Sequence, residues 1–227
     1  MVRLTYDAGM VTTPLTEPTG QSLVFGHLPI AFDDRVLRPR PWTVAQSRWV
    51  AELMSDLPGP GRILELCAGA GHIGLLSLAL SGSPGHRLLA VDVNPAACEL
   101  ARHNAEATGL GAQVEVREGP AEEVLAADER FDLVIADPPW VPHAEMVRFP
   151  DDPTIAIDGG VDGLDVAWVC IRACEQHLVP GGSAVLQLGS ADQAHRVRDV
   201  LHAGASPLLV REIRPFGEQG VLVHLST

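Results

Sequence analysis

From residue 61 onward, short apolar runs alternate with segments of helical periodicity, and this alternation limits the fold more than any other feature of the chain. The predicted strands are residues 63–67, 88–93, 114–117, 131–136, 184–188, 208–213 and 221–225. The predicted helices are residues 44–57, 73–80, 95–107, 121–126, 161–178 and 191–202. Because helices between strands cover both faces of a parallel sheet, the pattern predicts an α/β fold with a doubly wound, mostly parallel sheet of seven strands.

The two ends of the chain depart from this repeat. Residues 215–220 are too few for a helical crossover between the last two strands, so we expect a hairpin and an antiparallel last strand. Near the other end, the alternating stretches 22–25 and 28–37 predict a small β-hairpin. The chain is therefore divided into an N-terminal extension with a hairpin, residues 1–42, and one main domain, residues 43–227.

Composition narrows the class of protein. The chain has 227 residues, 46% of them hydrophobic, which is enough for one buried core, and no apolar run is long enough to span a membrane. The N-terminus lacks the layout of a signal peptide, so a cytoplasmic location is expected. A net charge of −13 repels a polyanion and disfavours nucleic acid as a partner. The four cysteines show no metal-ligand spacing, and neither a metal nor a disulfide is predicted.

The sequence Asp137-Pro138-Pro139-Trp140 follows the apolar run 131–136, at the end of a predicted buried strand where α/β folds place their ligands. The aspartate offers oxygen acceptors, the prolines fix the turn, and the tryptophan supplies a flat surface for stacking. Such a turn can hold a planar nitrogen while a group is transferred to it. These four residues are the predicted catalytic residues.

A glycine-rich turn follows the first buried strand of the repeat. Gly69, Gly71 and Gly74 allow close approach of the backbone to a ligand, and they also satisfy the pattern of a dinucleotide site. Glu65 favours S-adenosylmethionine over NAD, because a carboxylate there would attract an ammonium group and repel a pyrophosphate. A structural role in capping the turn is the alternative for Glu65. Asp92 would accept hydrogen bonds from ribose hydroxyls. The cofactor-binding residues predicted in this part are Glu65, Cys67, Ala68, Gly69, Gly71, Asp92, Val93, Asn94 and Ala121.

The order of these motifs resembles that of the class I S-adenosylmethionine-dependent methyltransferases, which have a Rossmann-like fold. Within that family the chain looks like the HemK/PrmC-type branch, which methylates the side-chain amide of glutamine in peptide release factors. Residues 36–43 (VLRPRPWT) resemble the branch's LIPRPET segment, residues 137–140 its NPPY motif, and residues 158–165 (DGGVDGLD) its glycine-rich loop. The resemblance covers about residues 30–227 and adds Arg40, Thr43 and Asp137 to the predicted cofactor-binding residues.

Two departures from the branch concern the substrate. Asp137 replaces an asparagine and Trp140 a tyrosine; an ionised aspartate only accepts hydrogen bonds, so it suits an amine nitrogen at least as well as an amide. DPPW is also similar to the signature of adenine-N6 methyltransferases. The branch usually carries an N-terminal helical domain that grips the release factor, whereas about 40 residues precede the first core helix here.

The expected activity is therefore methylation of a planar amide or amine nitrogen, in a protein glutamine side chain or a small metabolite, with S-adenosylmethionine as cofactor. Three alternatives stay open: an adenine-N6 nucleic-acid methyltransferase, a non-catalytic S-adenosylmethionine-binding domain and an NAD-dependent oxidoreductase. The long segment 141–157 is predicted to be a lid. The oligomeric state is left open.

Overall fold

The computed structural model describes residues 20–204, 206–216 and 219–227. Residues 1–19 of the predicted extension lie outside the described residues, as do two residues of the predicted final hairpin loop, Gly217 and Glu218. The strands in the described ranges are β1 (Gln21–Phe25), β2 (Leu28–Phe32), β3 (Arg62–Leu66), β4 (Arg87–Asp92), β5 (Val114–Glu118), β6 (Phe131–Ala136), β7 (Leu178–Leu188), β8 (Leu209–Pro215) and β9 (Val221–Ser226).

The helices lie mainly between these strands. They are α1 (Val44–Ser55), α2 (His72–Ser81), α3 (Pro95–Ala107), α4 (Ala121–Val124), α5 (Thr154–Ile157), α6 (Asp165–His177) and α7 (Ala191–Ala203). Short 3-10 helices occupy Pro41–Thr43, Gly111–Gln113 and His143–Arg148. None of the helices in the described part of the chain combines the length and the apolar content needed to cross a membrane.

The main sheet has seven strands among the described residues, in the order β5-β4-β3-β6-β7-β9-β8. The first five in this order pair in parallel, and β9 pairs antiparallel with both β7 and β8. The predicted doubly wound sheet and its antiparallel last strand are thus confirmed. The order of the strands reverses between β3 and β6, and such a switch point leaves a crevice at the carboxyl ends of the strands.

Apolar side chains cover both faces of the sheet. Helices α1, α2 and α3 pack on one face, and α6 and α7 pack on the other. The β1–β2 hairpin joins the first of these layers, because Phe25, Ile30 and Phe32 are buried in the same cluster as Trp49 of α1. The predicted hairpin is therefore present, and it packs directly on the domain.

One buried side chain fixes the hairpin to α3. Asn104 accepts a hydrogen bond from the Ala31 N–H at 2.8 Å and donates to the carbonyl oxygens of Ala31 and Ala70, each at 2.9 Å. The Asn94 side chain also donates to the carbonyl of Arg35 at 2.9 Å. These bonds hold β2 against the carboxyl-terminal half of α3 and the segment after β2 against the amino end of this helix.

Three element boundaries differ from the sequence prediction by four residues or more. Strand β2 ends at Phe32 and does not reach residue 37. Helix α6 begins at Asp165 and not at 161, because Gly160 and Gly163 have φ values of 86° and 76°, which a helix does not accommodate. Strand β7 begins at Leu178, ahead of the predicted 184, and the shift in its register with β6 accommodates a Pro-Gly-Gly sequence.

Candidate active site

The carboxyl ends of β3, β4 and β6 open on a cavity of about 650 Å³. This volume is within the range of pockets for small ligands and cofactors. The predicted site residues that line it are Arg40, Thr43, Cys67, Gly69, Asp92, Val93, Asn94, Ala121, Asp137 and Pro139. We call this space the cofactor cavity.

The glycine-rich turn and β4 are joined by one carboxyl group. The Gly69 N–H donates to Asp92 Oδ2 at 2.7 Å, and the Asn94 N–H donates to Asp92 Oδ1 at 2.8 Å. Asn94 in turn caps α3 by accepting a hydrogen bond from the Ala96 N–H at 3.0 Å. Burial raises the pKa of Asp92, an effect that these backbone bonds oppose. The Asp92 carboxyl is thus held at the wall of the cavity, where a ribose would lie in the predicted mode of binding.

Glu65 lies beneath the glycine-rich turn and does not line the cofactor cavity. Its side chain is buried, and its Oε1 accepts a hydrogen bond from the Gly74 N–H at 2.9 Å. Its Oε2 has no partner among the described residues, and burial raises the pKa of Glu65 to about 8. Ala68 and Gly71 are also buried below the surface of the cavity. Glu65 therefore supports the turn, and its predicted contact with the cofactor stays a prediction.

Sequence patterns did not indicate several residues of the cofactor cavity. His72, the first residue of α2, lines it, and burial lowers the pKa of this imidazole to about 4, so His72 is neutral at pH 7. Its position inside the glycine pattern, directly after Gly71, was the available signal. The other unpredicted residues of the wall include Leu66, Val91, Ile155, Val166, Val169 and Cys170. The Cys67 backbone has a φ of 56°, which is rare outside glycine.

The turn from Asp137 to Trp140 separates the cofactor cavity from a smaller one of about 160 Å³, which we call the acceptor cavity. Asp137 lines both cavities, Pro139 lines the cofactor cavity, and Pro138 and Trp140 line the acceptor cavity. Burial raises the pKa of Asp137 to about 7. The four predicted catalytic residues are thus brought together at the junction of the two spaces.

The Trp140 side chain is fixed from behind. Its ring packs so closely on Gly189 that a Cβ at that position would overlap the indole. The Gln193 side chain donates to the Trp140 carbonyl at 3.0 Å and accepts a hydrogen bond from the Gly189 N–H at 2.8 Å. Because its carbonyl and the Cε3–Cζ3 part of its ring are held, Trp140 presents a fixed wall to the acceptor cavity.

The remaining walls of the acceptor cavity come from two distant segments of the chain. Residues 37–43 contribute Arg40, Trp42 and Thr43, and the segment predicted to be a lid contributes Phe149, Asp152, Ala156 and Ile157. The guanidinium of Arg40 joins the two segments, with its Nη2 2.6 Å from Asp152 Oδ1. Thr43 Oγ1 donates to the Arg40 carbonyl at 2.9 Å and fixes the backbone there.

A third space of about 500 Å³ adjoins the acceptor cavity. Arg40, Phe149 and Asp152 line both. Its other walls come from β2, the residues after it and the lid segment. We call it the outer cleft. A small cavity beside a wider cleft suits a chain that inserts one side chain.

The residues present fit S-adenosylmethionine. Carboxyl groups of Asp92, Glu122 and Asp158 line the cofactor cavity, which suits a cationic ligand with free hydroxyls. The two arginines that line it are engaged elsewhere, because Arg40 is paired with Asp152 and Arg38 lies 5.6 Å from the centre of the Phe32 ring. A pyrophosphate would meet acids without a directed cation. The donor set therefore favours S-adenosylmethionine over a dinucleotide.

Comparison with known proteins agrees with this geometry. Residues 63–149 match a family described as a methyltransferase domain. The chain is 33% identical to the ribosomal protein uL3 glutamine methyltransferase of Bradyrhizobium diazoefficiens over 71% of this chain and 53% of that protein. It is 31% identical to the release factor glutamine methyltransferase of Deinococcus radiodurans over 91% of this chain and 68% of that protein.

Solved structures support the fold. A ribosomal protein L11 methylase from Lactobacillus delbrueckii subsp. bulgaricus superposes with a TM-score of 0.62 at 14% identity, over 90% of this chain and 96% of that chain. The chain spans about half the length of the uL3 enzyme, 53%. The match to the Deinococcus relative covers more than two thirds of each protein. It shows that the protein belongs to the class I S-adenosylmethionine-dependent methyltransferases, in the HemK/PrmC-type branch of glutamine methyltransferases.

Proposed function

We propose that this protein transfers the methyl group of S-adenosylmethionine to the side-chain amide nitrogen of a glutamine in another protein. The observation that carries the proposal is the turn from Asp137 to Trp140, which forms the junction of the cofactor cavity and the acceptor cavity. We infer that residues 43–227 form the catalytic domain and that residues 1–42 extend it. Within the described part of that extension, the hairpin packs on the domain core.

The sizes of the two outer spaces support a polypeptide as acceptor. The acceptor cavity, about 160 Å³, has room for one side chain, and the outer cleft, about 500 Å³, could take the residues on either side of it. A free metabolite of the size of glutamine would leave the cleft unused. The names of the Bradyrhizobium and Deinococcus relatives, which give a ribosomal protein and a release factor as substrates, favour the same class. An acceptor of either kind would place the reaction in the cytoplasm.

Each residue of the turn has a separate role in the proposed reaction. When bound, the cofactor supplies an activated methyl group on a positively charged sulfur. The Asp137 carboxylate and the Pro138 carbonyl accept the two N–H groups of the target amide and orient its nitrogen. Trp140 stacks on the planar amide and excludes water. Orientation of this kind can contribute up to roughly 7 to 11 kcal/mol to lowering a barrier.

Three groups of residues in the cofactor cavity would contact different parts of the cofactor. Asp92 accepts hydrogen bonds from the ribose hydroxyls, and the absence of a side chain at Gly69 lets the rest of the ligand approach the backbone of the turn. Val93 and Ala121 offer apolar contacts to the adenine, while Arg40 and Thr43 close the side of the cavity near the acceptor. These assignments support the predicted cofactor residues that line the cavity, and they leave Glu65 as the support of the turn.

Adenine in nucleic acid is the second candidate acceptor, because DPPW is similar to the signature of adenine-N6 methyltransferases and an aspartate suits an exocyclic amine. The net charge of −13 counts against it. An NAD-dependent oxidoreductase would leave the turn at Asp137 without a role, and a non-catalytic domain would not need the acceptor cavity.

The test is transfer of isotope from methyl-labelled S-adenosylmethionine. The purified protein is incubated separately with unmethylated release factor, ribosomal protein uL3, total RNA, DNA and a small-molecule extract, and the proteins and nucleic acids are then digested enzymatically, which leaves a methylated side-chain amide intact. We expect label in N5-methylglutamine from one of the proteins. The variant Trp140→Ala should lose at least tenfold in rate, whereas Asp128→Ala, which changes an exposed acid in a turn, should retain full rate. Label confined to nucleic acid or to small molecules would refute the proposal.

A further inference from the structure

Among the described residues, the Asp137 carboxyl has neither a hydrogen-bond donor nor a cation as partner, in contrast to three other acids of this region. Asp92 accepts two backbone hydrogen bonds, Glu65 accepts one, and Asp152 is paired with Arg40. At Asp137, burial is the one cause that shifts the pKa, with no contribution from a hydrogen bond or a cation of the described residues. A carboxyl that lines both cavities is therefore free to interact with whatever lies between them.

No basic group near Asp137 is available to pair with it among the described residues. The titratable and charged groups around it come from β3 and the turn after it, β4, α2, α4, α6, the segment 36–43 and the lid segment: Glu65, Cys67, Asp92, His72, Glu122, Asp165, Cys170, Arg38, Arg40, Asp152 and Asp158. His72 is neutral at pH 7, Arg40 is paired with Asp152, and Arg38 lies over Phe32. Acidic groups therefore dominate the electrostatic environment of Asp137. Negative charges nearby make a carboxylate a better proton acceptor, because they disfavour its ionised form.

Methylation of an amide nitrogen needs a proton acceptor at some stage. The nitrogen gains a bond to carbon and, unless it loses a hydrogen, a positive charge, so a base within hydrogen-bond reach lowers the barrier. An asparagine side chain, which the branch usually has here, cannot take up that proton at neutral pH. Burial raises the pKa of Asp137 to about 7, and a base is most effective when its pKa is close to the working pH.

We propose that Asp137 is the proton acceptor of the methyl transfer, in addition to orienting the amide. This inference rests on the proposed function. The amide nitrogen forms a bond to the methyl carbon while the bond from that carbon to sulfur breaks with its electron pair on sulfur. The N–H proton passes to an oxygen of the Asp137 carboxylate. The products are a neutral N-methyl amide, a neutral thioether and a protonated Asp137, which returns its proton to water.

The test compares the wild-type protein with Asp137→Asn, which keeps the shape of the side chain and removes the base. Rates of methyl transfer to unmethylated release factor, or to whichever protein accepts label, are measured in single turnovers from pH 5.5 to 9. For the wild type the rate should rise with pH and reach a plateau, with the bend below pH 7 because the charge of the bound S-adenosylmethionine lowers the pKa of Asp137. For Asp137→Asn the rate should be about 100-fold lower at pH 8 and independent of pH.

Glu65 is the necessary control because burial also raises the pKa of this acid, to about 8. In Glu65→Gln the bend should stay at the pH at which it lies in the wild type. The infrared band of protonated carboxyl groups gives a readout without turnover. In Glu65→Gln this band should decrease as the pH rises through about 7, and in Glu65→Gln/Asp137→Asn that decrease should be absent.

Three results would overturn the inference. The first is an Asp137→Asn variant with the rate and pH profile of the wild type. The second is a wild-type rate that falls as the pH rises through 7, since the protonated carboxyl would then be the active form. The third is an unchanged infrared band. A wild-type protein that binds S-adenosylhomocysteine but methylates none of the acceptors would refute the proposed function, and the inference with it.

Discussion

Gly74 and Glu65 occupy the most crowded point of the glycine-rich turn. A Cβ at Gly74 would overlap Glu65 Oε2 and lie 2.7 Å from Leu88 Cδ2, and both neighbours are buried. We therefore expect Gly74→Ala to destabilise the protein by about 1 to 3 kcal/mol, as overpacking of a core does. At this size of protein, each kcal/mol lowers the melting temperature by about 2 to 4 °C.

Thermal melts of Gly74→Ala and Gly59→Ala, at equal concentration, check this prediction. A Cβ at Gly59 meets nothing within 4 Å, so this control should melt at the wild-type temperature or slightly above it. Equal melting temperatures for the two variants would show that the turn relaxes around the added methyl group.

Glu65 should also make the stability depend on pH. Its pKa is about 8 in the folded protein and about 4.5 in the unfolded chain, so the folded state binds more protons between these values. The free energy of unfolding should therefore decrease as the pH rises from 4.5 to 8. In Glu65→Gln this decrease should be smaller, and part of it should remain because burial raises the pKa of Asp137 as well.

Urea titrations at pH 5, 6.5 and 8 measure the effect. The free energy of unfolding of the wild type should decrease across the series more than that of Glu65→Gln. The value for Glu65→Gln minus the value for the wild type should therefore increase with pH. A difference that is constant from pH 5 to 8 would mean that Glu65 ionises normally in the folded protein.

At the level of elements, the hairpin depends on one side chain of α3. Asn104 bonds to both backbone polar groups of Ala31 and to the Ala70 carbonyl, and it is buried. Asn104→Ala leaves these three groups without partners, so we expect a loss of roughly 2 to 4 kcal/mol. Amide hydrogens of β1 and β2 should exchange faster than those of the main sheet, since the hairpin loosens first.

Thr108→Ala is the matched control on the same helix. The Thr108 hydroxyl bonds to the Asn104 carbonyl at 2.7 Å and does not touch the hairpin. This variant should leave hydrogen exchange in β1 and β2 unchanged. Equal exchange in both variants would show that packing of Phe25 and Phe32, and not Asn104, holds the hairpin.

The strands could be predicted well because both faces of this sheet are buried. The apolar run 131–136 corresponds to β6, and helix 95–107 corresponds to α3, whose start is marked by the Asn94 cap and Pro95. The ends of strands and helices that depend on backbone geometry were harder to predict from the sequence. The start of β7 at Leu178 depends on pairing with β6 across a Pro-Gly-Gly sequence, and local patterns do not report such pairing.

The site could be predicted where it follows directly from a strand. Asp92 and the turn at Asp137 come at the ends of β4 and β6, and the fold brings these ends to the same cavity. The walls made by Phe149 and Asp152 could not be predicted, because they depend on a contact with Arg40, 112 residues away in sequence. The role of Glu65 depends on the direction of its side chain, which the strand pattern does not determine.

For the whole molecule, a ligand of the cofactor cavity should stabilise the fold, because the cavity is built from the ends of several strands and from α2, α3 and α6. S-adenosylhomocysteine at 100 times its Kd should add about 2.7 kcal/mol. At about 2 to 4 °C per kcal/mol, this is a rise of roughly 5 to 11 °C in melting temperature.

NAD at the same concentration should leave the melting temperature unchanged, and Asp92→Ala should reduce the shift caused by S-adenosylhomocysteine. A shift with NAD alone would restore the oxidoreductase alternative. This measurement depends on the cofactor cavity and not on the identity of the acceptor.

Asp137, whose pKa burial raises to about 7, also makes the cofactor cavity a store of protons. A cation placed beside this carboxyl lowers its pKa, so binding should release protons into the buffer at pH 7. S-adenosylmethionine carries a sulfonium charge that S-adenosylhomocysteine lacks, and it should release more. Calorimetric binding enthalpies in phosphate and in Tris should therefore differ more for S-adenosylmethionine. The enzyme would thus distinguish the charged cofactor from its spent product by proton exchange with water.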